Sequence, residues 1–234
     1  MKTLIKSIPS VILVFFLTIM LVACKPKTPE KKDTYDESHY GLRYNYTYKE
    51  NKSYEDAKAL LDTALKALKE TKSYSYSQQL KGSFDDDVEY TGLTKINVTD
   101  KVEASVELVG NLEFAMYVKE NNAYINNNGK KYRIEFESDG SNLDSLTSSV
   151  IGSLPSMFTF TKETFKKAGT DEYDVNIIEF TTEDGVGTVN LVIYKDKLQK
   201  VLYYDDNEIT YVANYKYEAV TVTFPNDLDD YEQR

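Results

Sequence analysis

EASVELVGNLEFAMYVKENNAYINNNGKKY, residues 103–132, is the stretch on which the fold turns. Ala104, Val106 and Leu108 alternate with Glu103, Ser105 and Glu107, and Leu112, Phe114, Met116 and Val118 alternate with Glu113, Ala115, Tyr117 and Lys119. Alternation with a period of two marks strands that bury one face. Asn128-Gly129 then supplies a tight hairpin signal, because both residues accept a positive φ. This is the signature of an antiparallel meander.

Working outward, the same rhythm runs back through Ile96 and Val98, with turns at Asp100-Lys101, Gly110-Asn111 and Asn121-Asn122. Residues 74–138 therefore read as about six antiparallel strands. Residues 139–168 break the rhythm. Leu143, Leu146, Val150, Ile151 and Leu154 are spaced as a helix that stops near Pro155, and Met157-Phe158-Thr159-Phe160 follows as an apolar run. Thr161 is placed to cap a short helix over 162–167, with Gly169 beyond its end. Strands resume over 173–182, 187–195, 198–205 and 208–217, with turns at Asp196-Lys197 and Asp206-Asn207, and a last strand over 219–224 ends at Pro225.

Before the meander, residues 54–71 carry one helix. Ala57, Leu60, Leu61, Ala64, Leu65 and Leu68 form a single apolar stripe, and Ser53 with Asp56 reads as a capping box. The expected fold class is α+β: a large curved antiparallel sheet of about ten or eleven strands, a half-barrel, with helices covering its concave face.

The N-terminus reads as an export signal. Lys2 and Lys6 precede an apolar run, Ile8–Val22, shorter than the ~20 residues a membrane span needs. Leu21-Val22-Ala23-Cys24 has the order of a bacterial lipobox, in which the thiol of Cys24 accepts a diacylglyceryl group and cleavage leaves it N-terminal. The expectation is a signal peptide over 1–23, a lipidated Cys24 with a flexible tether over 24–52, one domain over 53–228 and a tail over 229–234. Acyl anchoring puts the chain on the extracytoplasmic face of a membrane. Lys25, Lys27, Lys31 and Lys32 beside the lipid suit an anionic surface or a merely soluble tether equally well.

Composition narrows the function. Residues 1–23 contain two lysines and no acid, so their removal takes the net charge from −10 to −12. So acidic a chain lacks the basic face that nucleic acid demands. Cys24 is the one cysteine and His39, in the tether, the one histidine, which removes Ser-His-Asp triads, Cys-His pairs and most zinc sites. Asp85-Asp86-Asp87 and Asp205-Asp206 lack the spacing of a calcium loop and read as solvated turns. Carboxylate pairs abound without one standing out. The expectation is a protein that is not an enzyme and takes no cofactor or metal.

The layout resembles the LolA-like superfamily of lipid-binding lipoproteins, most closely its LppX and LprG type. The resemblance rests on the lipobox at Leu21–Cys24, the Ala-Leu-Lys-Ala-Leu-Lys helix at 64–69, Met116-Tyr117-Val118 with the Asn122–Tyr132 hairpin, and the ending Tyr215-Lys216-Tyr217 through Val220–Pro225. It spans roughly residues 53–228, in a superfamily without an invariant catalytic motif. The resemblance implies a half-barrel that cradles acyl chains under a helical lid, in a monomer that binds or carries a lipid. Candidate lining residues are Val106, Leu108, Phe114, Met116 and Val118 from the first meander, and Leu146, Ile151, Leu154, Met157, Phe158 and Phe160 from the insertion. The plainer reading of each single position is packed core, the commoner fate of such side chains. The alternative is a non-enzymatic structural or regulatory surface lipoprotein of the same fold, with a filled interior and an envelope protein as partner.

Overall fold

A computed structural model of the chain describes residue 40 and residues 46–80, 89–99, 101–111, 113–136, 158–206 and 208–234. Cys24, His39, the Asp85–Asp87 run and the helix expected over the 142–154 region lie outside the described residues, as do Leu146, Ile151, Leu154 and Met157.

The first regular elements are β1 (Glu50–Lys52) and α1 (Tyr54–Glu70). Ser53 caps α1 as read: its Oγ accepts from the Asp56 amide at 3.1 Å, and Asp56 Oδ2 accepts from the Ser53 amide at 3.3 Å. Ala57, Leu61, Ala64 and Leu68 are the buried stripe, and Lys58 pairs with Asp62 at 2.5 Å one turn on. The expected six-strand meander is β2 (Ser73–Leu80), β3 (Tyr90–Asn97), β4 (Glu103–Gly110), β5 (Phe114–Lys119), β6 (Asn122–Asn127) and β7 (Lys130–Glu135). After it come β8 (Phe165–Thr170), β9 (Asn176–Thr181), β10 (Thr188–Tyr194), β11 (Lys197–Asp205), β12 (Glu208–Lys216) and the stub β13 (Glu232–Gln233).

All 13 strands form one open sheet in the order β1-β8-β9-β10-β11-β12-β2-β3-β4-β5-β6-β7-β13. Every pairing is antiparallel except β13 on β7. The two meanders meet where β12 pairs with β2, with Tyr215 opposite Tyr76. A sheet this wide twists and curls, so its two faces differ. The fold class is the one expected, with more strands and, among the described residues, one α-helix.

Register assigns the faces. Cross-strand partners share a face, so Tyr76, Thr94, Val106, Met116, Ile125 and Tyr132 make one row across β2–β7. We call that side the inner face. On the β8–β12 half, α1 packs onto it, joining Ile178, Phe180, Val189, Leu191, Val201 and Tyr203 in the main core. The outer face is covered by the two ends of the described chain. Tyr40 is buried there with Val175, Ile177, Val192, Leu202 and Tyr204, and Tyr46 and Tyr48 pack beside them. Toward the C-terminus the Val220 amide donates to Ser73 Oγ at 2.9 Å, the Phe224 ring lies 6.4 Å from that of Tyr117, and Tyr231 meets Tyr124 edge-on at 5.6 Å.

Four local expectations are corrected. The helix expected over 162–167 is a short turn leading into β8. Its Lys-Glu-Thr-Phe-Lys-Lys composition suits a helix, but Phe165 and Ala168 gain more by pairing with Phe180 and Ile178. Gly169 is thus a mid-strand residue and not a helix stop; a Cβ there would collide with the Tyr48 ring and the Glu50 carbonyl oxygen. The strand expected over 219–224 does not form, because both edges of β12 are already taken, by β11 and β2; the segment crosses the outer face instead. The turns expected at Asn121-Asn122 and Asp196-Lys197 each sit one residue earlier, with positive φ at Glu120 (55°) and at Lys195 and Asp196 (49° and 58°). Asn128-Gly129 turns as read, at 50° and 79°.

Candidate functional site

Three quarters of the sheet surface carry a described covering: α1 on the inner face of the β8–β12 half, and a chain end on the outer face of each half. The fourth quarter is the inner face of β4–β6. There Val106, Leu108, Phe114, Met116 and Ile125 form a buried apolar cluster separate from the main core. No residue of α1 belongs to it; Tyr90, Tyr132 and Ile134 pack at its rim. The described chain stops at Phe136 and resumes at Phe158, both in the main core.

The floor follows from register. Val106 stands opposite Met116, and Met116 opposite Ile125; Leu108 stands opposite Phe114. Gly92 faces Leu108 and also Gln78, so the position between these two side chains has no side chain of its own. Gln78 is fully buried. Its amide nitrogen donates to Thr94 Oγ1 at a long 3.4 Å, and its Oε1 has no hydrogen-bond partner. A buried acceptor left this way is costly, and with Thr94 it gives the apolar floor a polar edge.

Of the other expected lining residues, Val118 and Phe158 belong to the main core. Phe158 stacks on Tyr203 at 5.7 Å and meets Tyr211 at 6.0 Å. Phe160 packs edge-on against Phe180 at 5.2 Å and lies 5.4 Å from Tyr54 of α1. The structure therefore separates the candidates into a β4–β6 group and a group under α1. Sequence reading missed Ile125 and Gln78. Ala123 and Ile125 do alternate, but only register places Ile125 beside Met116, and nothing in the sequence singles out Gln78.

Between the two groups lies a patch of tyrosines. Tyr76 stacks on Tyr215 at 5.1 Å and on Tyr74 at 6.5 Å, and Tyr74 stacks on Tyr217 at 6.3 Å. Burial drives all four phenols upward. Tyr76 rises to about 12, a hydrogen bond with Thr94 holding it back, while Tyr74, Tyr215 and Tyr217 rise further. The phenols stay neutral at any physiological pH, so the inner face presents no charge here. Among the described residues no three His, Cys, Asp or Glu side chains gather as a metal site requires, and no helix is long and apolar enough to cross a membrane.

No family model matches the chain. No curated protein matches it either. Among solved structures it is similar to LprF from Mycobacterium bovis, at 13% identity and a TM-score of 0.37, over 75% of this chain and 98% of that one. It is also similar to MucB, at 13% identity and a TM-score of 0.35, over 72% of this chain and 61% of that one. A DUF1329 family protein from Desulfovibrio piger aligns at 13% identity and a TM-score of 0.28, over 72% of this chain and 95% of that one.

Proposed function

We propose that this protein is a membrane-anchored extracytoplasmic lipoprotein, acylated on Cys24, that binds a lipid or other apolar ligand on the inner face of its sheet. The observation that carries the reading is the apolar floor of Val106, Leu108, Phe114, Met116 and Ile125, which stands apart from the core that α1 seals. Val118, on the same strand as Phe114 and Met116, belongs to that core and marks the border of the floor.

The physics needs no catalysis. An acyl chain moved from water onto such a floor gains about 0.8 kcal/mol per buried CH₂, so ten methylenes contribute roughly 8 kcal/mol before the cost of association. Methionine and phenylalanine suit the role, since the thioether adapts to a disordered chain and the ring supplies area. The Gln78 carboxamide offers an acceptor to a hydroxyl or a protonated acid on the ligand.

The test is direct. Protein purified without detergent is extracted with organic solvent, and the extract is examined by mass spectrometry; delipidated protein is then titrated with a fluorescent fatty acid. Stoichiometric lipid in the extract, or saturable uptake of the probe, is the expected result. An empty extract together with no uptake overturns the reading and leaves a tethered scaffold. Lipidation is tested separately with a palmitate analogue, whose incorporation Cys24→Ala should abolish.

A further inference from the structure

At the margin of the apolar floor a buried hydrogen-bond acceptor lacks a donor. Gln78 of β2 is fully buried, and its Oε1 has no hydrogen-bond partner. Its Nε2 donates to Thr94 Oγ1 at 3.4 Å, which leans the carboxamide from β2 over β3, toward the floor. Thr94 is itself fully buried, and its hydroxyl is hydrogen-bonded to Tyr76.

The sheet cannot supply the missing donor. β2 is laddered on both sides, to β12 and to β3, so the amides around Gln78 point along the sheet and not out of it. Its neighbours in the same row are Ala213 and Gly92, which carry no polar side chain. A donor must therefore arrive from above the inner face. Beyond Gly92 the row continues through Leu108 to Phe114, both buried members of the floor. A ligand lying on those side chains brings one end to Gln78.

The chemistry of the orphan selects that end. An amide oxygen carries lone pairs and no proton, so a hydroxyl suits it. An ionised carboxylate or a phosphodiester presents only acceptors, and loses its water without a partner. A quaternary ammonium has no proton to give. Charge agrees. Among the described residues of β2–β7, register places one cation on the inner face, Lys130, and Arg234 lies over the Tyr132 ring at 4.4 Å. Both are exposed, on or beside β7, five strand spacings or about 24 Å along the sheet from β2. An anion held there would leave Gln78 unmatched. The rest of the sequence of this half is acidic. Residues 81–88 contain Lys81 against Asp85, Asp86 and Asp87, and residues 137–157 contain Glu137, Asp139 and Asp144 with no lysine or arginine.

We infer that the floor selects an uncharged lipid bearing a hydroxyl, of the long-chain alcohol or monoacylglycerol type, whose hydroxyl donates to Gln78 Oε1 while its chain lies along Leu108 and Phe114. This rests on the lipid binding proposed above and adds the class of the ligand.

The experiment uses the delipidated full chain without detergent at about pH 8, where a fatty acid is ionised. A fluorescent fatty acid is the reporter. Decan-1-ol, its methyl ether and decanoate are titrated as competitors with the same alkyl chain. Decan-1-ol should displace the reporter at about one tenth the concentration that either of the others requires, the effect of one buried hydrogen bond. The ether is the more hydrophobic of the neutral pair, so partition alone would order them the other way. Gln78→Leu, similar in volume and without polar atoms, should bring alcohol and ether level, with thermal melts verifying the fold. The comparison in the parent protein stands even if that variant does not fold. Reporter uptake with equal displacement by alcohol and ether, stronger displacement by decanoate, or a preference that survives in folded Gln78→Leu overturns this inference and leaves lipid binding standing. Failure of the reporter and of all three competitors to bind overturns the binding itself, and this inference with it.

Discussion

The hydroxyl of Tyr40 donates a 2.5 Å hydrogen bond to Asp171 Oδ2, joining residues 131 positions apart. Tyr40 is thereby clasped to the β8–β9 turn, with its ring sunk among Ile177, Val192 and Leu202. Tyr40→Phe keeps the ring and removes the donor, and should lower stability by about 1–2 kcal/mol. Asp171→Ala also strands the amides of Tyr173 and Val175 and should cost about 3 kcal/mol. Denaturant midpoints measure both. A Tyr40→Phe midpoint equal to the parent would show that the clasp contributes nothing.

Alkaline titration probes the tyrosine patch. Tyr76 is raised from 10.0 to about 12, chiefly by burial. Between those values the unfolded chain has lost this proton and the folded chain still holds it. The contribution to stability is therefore complete below pH 10 and disappears as pH rises toward 12, roughly 3 kcal/mol in all. Tyr74, Tyr211, Tyr215 and Tyr217 shift the same way for the same first cause. Phenolate absorbance should lag behind that of free tyrosine above pH 10 and then rise together with loss of far-ultraviolet circular dichroism. A smooth titration with the fold intact would mean the rings are open to solvent.

The two groups of lining residues should behave differently. Met116→Ala, on the separate floor, should weaken fatty-acid binding about tenfold, the loss of roughly two methylenes of contact. Phe158→Ala, which removes the ring stacked on Tyr203, should cost about 3–5 kcal/mol of stability and change affinity little once corrected to folded protein. Paired thermal melts and ligand titrations separate these outcomes. Greater loss of affinity in Phe158→Ala would move the site under α1.

Gly169→Ala tests how the outer face is strapped. The new methyl would strike the Tyr48 ring and the carbonyl of Glu50, and backbone on one side leaves little room to yield. A loss of about 2 kcal/mol is expected, with faster hydrogen exchange at the Lys49 amide, which donates to the Thr170 carbonyl at 2.9 Å. Unchanged exchange there would mean that β1 shifts without detaching.

Much of this architecture was legible because local signals agreed with it. Ser53 and Asp56 name the start of α1, Asn128-Gly129 names a hairpin, and alternation from Ala104 to Val118 names the buried face. What was hidden depends on partners distant in sequence. Phe165–Thr170 is a strand because Phe180 and Ile178 wait beside it, and Val220–Phe224 is not one because β2 already occupies the edge of β12. The candidate floor was legible for the same reason as the meander, whereas Ile125 joined it only through register. The outer-face tyrosines were illegible: Tyr40, Tyr46 and Tyr48 lie in a stretch that reads as tether, and only the fold carries Tyr40 to Asp171 and Tyr48 over Gly169.

Two stubs finish the sheet, one at each edge. β1 has three residues and β13 two, and both are charged or polar. Where an eight-residue strand at the margin would invite a foreign strand to dock, these offer almost no ladder to extend. Arg133 holds β13 in place through Gln233 at 2.7 Å. Removing β13 would bare the flank of β7, leaving a six-residue strand open to pairing with another chain.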